Sequence, residues 1–202
     1  MSNKKKKKQE RVKVFFGIFV TVIMITSLGG FFVNNQNSSD GTLVTIDGKE
    51  YSFVPNQRSF SVKSEFIGGD VEMFFYPSDL QSIDFPDAIG KKLFGAPSVI
   101  IAFNPDEEDL SYQNSFRIQM NDDFIKARKN IHNGVTNFSV QYPFPLFNCE
   151  NATDYEPVII LKNSNITKIY ESDNCITIEA NNAEYFKIRD IIAQYIFGFI
   201  SA

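Results

Sequence analysis

Residues 14–33 run for twenty positions without a charged side chain, directly behind the basic residues Lys4 to Lys8, Arg11 and Lys13. A helix of that length covers about 30 Å, the hydrocarbon thickness of a bilayer, and helix is the form in which a lone segment satisfies its own backbone there. The run is therefore expected to be a transmembrane helix over 14–33, with 1–13 as a basic cytoplasmic tail. Glu10 is the tail's only acid, and the far flank, Asn34 to Ser39, has no basic residue, so the positive-inside asymmetry places residues 34–202 outside the cell. A cleaved signal peptide is the rival, with Ser27 and Gly29 as small residues near a cleavage point, but its apolar region normally spans only about 7–15 residues. Either reading exports the rest of the chain.

Beside a membrane span, the lysine run serves as an orienting flank, with roughly 1 kcal/mol of attraction to anionic lipid per residue as a by-product. The remaining chain keeps 13 of the 20 Lys and Arg and 23 of the 24 Asp and Glu, a net charge of about −10. That sign excludes a grip on a phosphate backbone, so nucleic acid is not an expected partner. The expected partners are the lipid bilayer, through residues 14–33, and another envelope protein.

Export gives meaning to the two cysteines, Cys149 and Cys175, which stand 26 positions apart. Outside the cytosol such a pair persists as a disulfide, which would add about 3–4 kcal/mol by closing a loop of that size. The alternatives are two free buried thiols or a metal site, but two thiols and the single His132 cannot complete a tetrahedral shell without carboxylates. Four Asn-X-Ser/Thr triplets occur, at Asn37, Asn137, Asn151 and Asn165, and Asn151 and Asn165 fall in expected turns as the better glycosylation candidates.

Residues 34–41, NNQNSSDG, read as a polar stalk, and 42–202 as one extracytoplasmic domain large enough for its own core. TLVTI, Asp47-Gly48 and KEYSFV form a hairpin signature, because that dipeptide supplies the positive φ angles of a tight turn. SFSVKSEF and VEMFFY extend it to a four-stranded meander. A short helical turn follows at PSDLQSI, and SVIIAF at 98–103 reads as a strand buried on both faces. Phe116, Met120, Phe124, Ala127 and Ile131 recur at helical spacing, so a helix is expected from Tyr112 to Ile131, ended by His132, Asn133 and Gly134. TNFSVQY, the Pro-rich PFPLFNCENAT, PVIIL, ITKIYES and CITIEA read as strands, and a last helix over about 182–199 presents Tyr185, Ile188, Ile192, Tyr195 and Phe199 to the core. The expected fold is α+β, with a largely antiparallel sheet and two main helices. FFYP followed by PSVIIAFNP, and VQYP followed by EPVIILKNS, raise a duplication against mere recurrence of a common unit.

The sequence carries no catalytic motif: no G-x-S-x-G, H-E-x-x-H, Walker A or G-x-G-x-x-G. His132, at an expected helix end, is better placed to complement the dipole than to act as a base. Asp106, Glu107, Glu108 and Asp109 form the one dense acidic cluster, but they lack the alternating spacing of a calcium loop. They fit better as a solvated loop ahead of a helix. No catalytic residue, cofactor or metal is expected.

Residues 148–200 resemble the C-terminal part of uncharacterised single-pass proteins encoded by small-genome archaea, on Cys149, Ala152, Thr153, Pro157, Val158, Ile159, Asn174, Cys175, Ile176, Asp190 and Gly198. The resemblance covers about a quarter of the chain and implies a paired-cysteine extracytoplasmic domain, with no activity attached. The expected function is a non-catalytic binding or scaffolding module of the cell envelope. The alternatives are an envelope enzyme joining Asp84, Asp106 and Asp122 from distant loops, and a pilin-like subunit. The last is disfavoured by the missing basic-Gly cleavage site and by the lack of a glutamate within the apolar run.

Overall fold

The computed structural model describes residues 41–181 and 183–201. The expected tail, membrane helix and stalk lie outside these, and no helix among the described residues is long and apolar enough to cross a membrane.

The chain first builds the expected meander, β1 (Thr42–Ile46), β2 (Lys49–Asn56), β3 (Ser59–Ser64) and β4 (Gly69–Met73), antiparallel in the order β1-β2-β3-β4. Asp47 and Gly48 both take positive φ at the first turn. Strand alternation sends one row inward: Phe53 stands opposite Val62, Val62 opposite Val71, and all three are fully buried. Two short helices follow, α1 (Pro77–Leu80), with Pro at its start, and α2 (Asp87–Gly95). Lys129 closes the C-terminal end of α2 by donating to the carbonyls of Phe94 and Ala96.

The second sheet differs from expectation. It joins β5 (Ser98–Phe103), β6 (Asn130–Val135), β7 (Val158–Asn163), β8 (Lys168–Ser172) and β9 (Cys175–Ala180) in the order β6-β5-β7-β9-β8. All its pairings are parallel except β8 with β9, a hairpin turned at Asp173 and Asn174 with positive φ. The chain is thus α+β with one antiparallel and one mostly parallel sheet, rather than a largely antiparallel one. Part of the difference is β6: the helix expected to run to Ile131 is α3 (Ser111–Lys126), and its supposed stop, His132 to Gly134, is a strand. With β6 in place, α3 becomes the crossover that a parallel neighbour requires. A second correction concerns TNFSVQY and PFPLFNCENAT, which form no strand; the latter has one isolated bridge, Leu146 to Val135, and a single helical turn over Cys149–Asn151. The proposed repeat loses one of its strands, because VQYP forms none, while β7 leads as expected through further strands to a helix.

The last helix, α4 (Glu184–Ile196), is buried over most of its circumference, with Ile188, Ile192, Ala193 and Ile196 fully enclosed. It touches both sheets. The Tyr185 hydroxyl donates to the Lys162 carbonyl of β7 at 2.7 Å, while Ser64 of β3 donates to the Phe197 carbonyl just beyond the helix. Each isoleucine so buried contributes about 1.5–3 kcal/mol, which explains the apolar character of this segment without a membrane role. Four helices occur among the described residues, and α3 and α4 are the two long ones.

A charged group sits within this core. Arg189 of α4 holds Asp123 of α3 with both ends of its guanidinium fork, at 2.6 and 2.7 Å, and also reaches Asp190 Oδ1 at 2.7 Å and the Glu72 carbonyl of β4. The other oxygen of Asp190 accepts the backbone N–H groups of Phe74 and Phe75. One cluster therefore joins two helices to the meander, with every carboxylate oxygen paired. Burial raises Asp123 above its ordinary value and Asp190 to about 6, outweighing the attraction of Arg189.

Gly90 marks the tightest helix contact, for a Cβ there would lie 2.5 Å from the ring atoms of Tyr195. That ring is held by stacking on Phe85 and by its hydroxyl bond to Asp87 at 3.0 Å. Gly90→Ala is expected to destabilise the domain on net, since overpacking at about 1–3 kcal/mol outweighs a helix-propensity gain of about 1 kcal/mol. A urea midpoint lower than that of the parent, and restored when Tyr195→Leu is added, would verify it.

Among the described residues, no α-helix covers the outer face of the parallel sheet. Ile100, Ala102, Val158, Ile160 and Cys175 form a small second core there, packed against Phe147 and Ala152 of the long connection 136–157. This connection acts as a strap. It bonds to β6 through Val135 and residues 145–147, closes on itself with a capping box at Asn148 to Asn151, and is fastened by the expected disulfide, Cys149 to Cys175, with a Cα separation of 5.1 Å.

Candidate functional site

The ends of β5, β7 and β9 open on a cleft of about 530 Å³ lined by Asp106, Glu107, Glu108, Asp109, Asn163, Ser164, Asn165, Ala180 and Asn181. It occupies the C-terminal edge of the parallel strands. β5, β7 and β9 run parallel, so the loops leaving all three are brought to the same edge of the sheet.

Most of the acidic side chains are committed to holding the loops in place. Glu107 accepts the Asn163 N–H at 2.9 Å and the Gln113 side-chain amide at 2.6 Å, tying the β5 loop to β7 and α3. Asp109 accepts both the N–H and the hydroxyl of Ser111 at the start of α3, which hold its carboxyl below the usual range. Asp106 receives the Asn137 amide from the strap at 3.2 Å. Glu108 is exposed and has no hydrogen bond among the described residues. Because these carboxylates face different partners, no three acidic, His or Cys side chains among the described residues converge on a point where a metal would sit.

Burial, with Glu107 close by, pushes the Tyr185 hydroxyl well above its ordinary value, so this residue works as a neutral donor to the Lys162 carbonyl. Gln113 beside it is wholly buried. Its nitrogen serves Glu107 and Asn163, while its oxygen has no partner among the described residues.

The other candidates are scattered. Asp84 is exposed ahead of α2 and Asp122 is exposed on α3, so only Asp106 of the three-carboxylate alternative lies in the cleft. His132 stands on β6 rather than at a helix end, more than half exposed, 3.5 Å from Glu156. Of the glycosylation candidates, Asn151 is exposed in the capping box and Asn165 is exposed on the cleft wall. Asn137 has its amide on Asn104 and Asp106. The sequence reading found the acidic loop but not its neighbours Asn163, Ser164 and Asn181, which reach it only because β7 and β9 run parallel to β5.

Fold and cleft together define the class, an α+β domain with a meander and a parallel sheet around a buried helix, stapled by one disulfide and opening on an acidic crevice. No family model, no curated protein and no solved structure matches this chain.

Proposed function

We propose that this chain is a membrane-anchored extracytoplasmic module of the cell envelope that binds or scaffolds another protein. The carrying observation is the strap 136–157. Of the nine large apolar side chains exposed among the described residues, four belong to it: Phe138, Val140, Leu146 and Tyr155, the first two at 80% and 88% exposure. Single exposed apolar residues are ordinary, but a concentration of them on one long ordered connection is the mark of a contact surface. The strap is held in place at the same time, by Phe103 against Tyr142 and Phe144, by Arg117 over Phe144, and by the disulfide. A surface fixed in this way binds without the ordering cost of a floppy loop. Anchoring and export rest on residues 1–33 and on the cysteine pair.

A photo-crosslinking residue placed at Phe138 in the full-length protein, in intact cells, is expected to give a discrete protein adduct. The same residue at the exposed Lys63 on β3 is expected to give none. Absence of an adduct from position 138, or an identical ladder from both, would remove the reading.

A further inference from the structure

We infer that the open edge of β6, with the apolar stripe of α3 beside it, is the contact through which two copies of this chain pair about a two-fold axis. This goes beyond the binding of another protein.

β6 ends the sheet order β6-β5-β7-β9-β8, so one of its edges has no strand beside it. The Asn130 N–H donates to Pro97 and the Thr136 N–H to Phe103, both on the β5 side, and the positions between them alternate in direction. Ile131, Asn133 and Val135 therefore turn their N–H and C=O groups away from β5. Val135 is met by the strap, donating to the Pro145 carbonyl and accepting from the Phe147 N–H. Ile131 and Asn133 have no backbone partner on that side among the described residues.

Apolar side chains border this gap. Asn114, Ile118, Asn121 and Ile125 recur at helical spacing on one stripe of α3. Asn114 donates to the Tyr142 hydroxyl of the strap and Asn121 accepts from Asn133, so the stripe faces the β6 edge. Ile118 and Ile125 are nevertheless more than half exposed. Leu146 joins them. It pairs with Val135, whose side chain is buried in the main core with Phe116 and Met120 of α3, so Leu146 points to the same face, and it too is more than half exposed.

Symmetry and charge name the occupant. Antiparallel pairing of two such edges sets Ile131 opposite Asn133 of the second copy and Asn133 opposite its Ile131, each pair exchanging both backbone bonds, and brings the two α3 stripes together across the axis. The edge begins at the exposed cations Lys126 and Arg128 and ends at Asn137, whose amide is bonded to the exposed Asp106. Antiparallel pairing turns each basic beginning toward the other copy's acidic end, which a uniformly charged segment does not reproduce. Repulsion between the remaining acid of the two domains is screened over about 8 Å at physiological ionic strength. A free peptide strand has only the short gap at Ile131 and Asn133 to pair with, whereas a second copy adds its own Ile118, Ile125 and Leu146 to the contact.

The test uses the full chain in detergent, its protein mass measured by light scattering with the detergent subtracted. A dimer is expected. Ile118→Lys combined with Ile125→Lys, and separately Lys126→Glu combined with Arg128→Glu, are each expected to raise its dissociation constant at least about tenfold. All four positions are exposed, and circular dichroism verifies the fold of the variants. Position 132 falls on the axis, opposite itself at about 4.5 Å between Cα atoms, so His132→Cys is expected to oxidise to a covalent dimer, while Lys63→Cys on β3 is not. A monomer, a dimer indifferent to the Ile118 and Ile125 changes, or no covalent dimer from position 132 would overturn the inference. A photo-crosslinker at position 125 that captures, in cells, a protein of another mass in place of a second copy would assign this edge to a different occupant and overturn it as well.

Discussion

Replacing Arg189 with leucine is expected to cost about 3–5 kcal/mol, enough to leave a domain of ordinary stability marginal or unfolded. The side chain itself is not the reason, since leucine fits a buried helix. What is lost is the partner of two carboxylates: Asp123, which gives both oxygens to the guanidinium, and Asp190, whose second oxygen already holds the N–H groups of Phe74 and Phe75. Unpaired buried charges are far costlier than the pair is beneficial, so removing the second charge is expected to recover much of the loss. Arg189→Leu combined with Asp123→Leu should accordingly be more stable than Arg189→Leu alone, measured by urea unfolding. The pH dependence has a definite sign. A carboxyl whose folded pKa is raised above its unfolded value favours the fold at low pH and loses that contribution as pH rises through the folded pKa. Asp190 is already raised to about 6 with Arg189 present, and losing the cation raises it further. The single variant is therefore expected to be closer to the parent at pH 5 than at pH 8.

Removing the disulfide is the second large effect. Cys149→Ala with Cys175→Ala is expected to lower stability by about 3–4 kcal/mol, the entropy of closing a loop across a separation of 26 residues. The structure adds where the loss is felt. The disulfide fastens the segment that, among the described residues, covers the outer face of the parallel sheet, so hydrogen exchange should accelerate first in residues 136–157 and in β9 near Cys175. Amides of α4, deep between the sheets, should keep their relative protection. Uniform acceleration throughout would mean that the strap is no separate layer.

Legibility in the sequence followed how local each signal is. The meander was readable because Asp47-Gly48 and a period of two are short-range, and α4 because its apolar side chains repeat every three or four residues. The disulfide was readable once export was inferred. The parallel sheet was not, since the two β-branched residues of NIHNGV, Ile131 and Val135, stand among Asn, His and Gly, and Ile131 also continues the helical spacing of the segment before it. β6 is a strand because α3 delivers it beside β5, a tertiary cause that no window of sequence contains. TNFSVQY failed in the opposite direction: it has the composition of a strand but forms none, although it directly follows the edge strand β6. α2 passed unread because Gly90 looks like a breaker, although it is the residue that lets Tyr195 approach. The acidic loop could be seen as a cluster, but the cleft could not, because Asn163 and Asn181 join it only through the order β5-β7-β9. The Arg189 cluster was hidden too: Asp123 and Arg189 are 66 positions apart, and each reads alone as an ordinary helix-surface charge.

In the proposed topology the domain lies outside the cell, where a disulfide persists and an envelope partner can reach it. Intact cells producing the native chain can be treated with a membrane-impermeant amine reagent, quenched, and analysed by peptide mass spectrometry. Modification at the exposed Lys49, Lys63 and Lys168, with none at Lys4 to Lys8, is the predicted pattern. Modification of the N-terminal lysines with the domain's lysines untouched would contradict it.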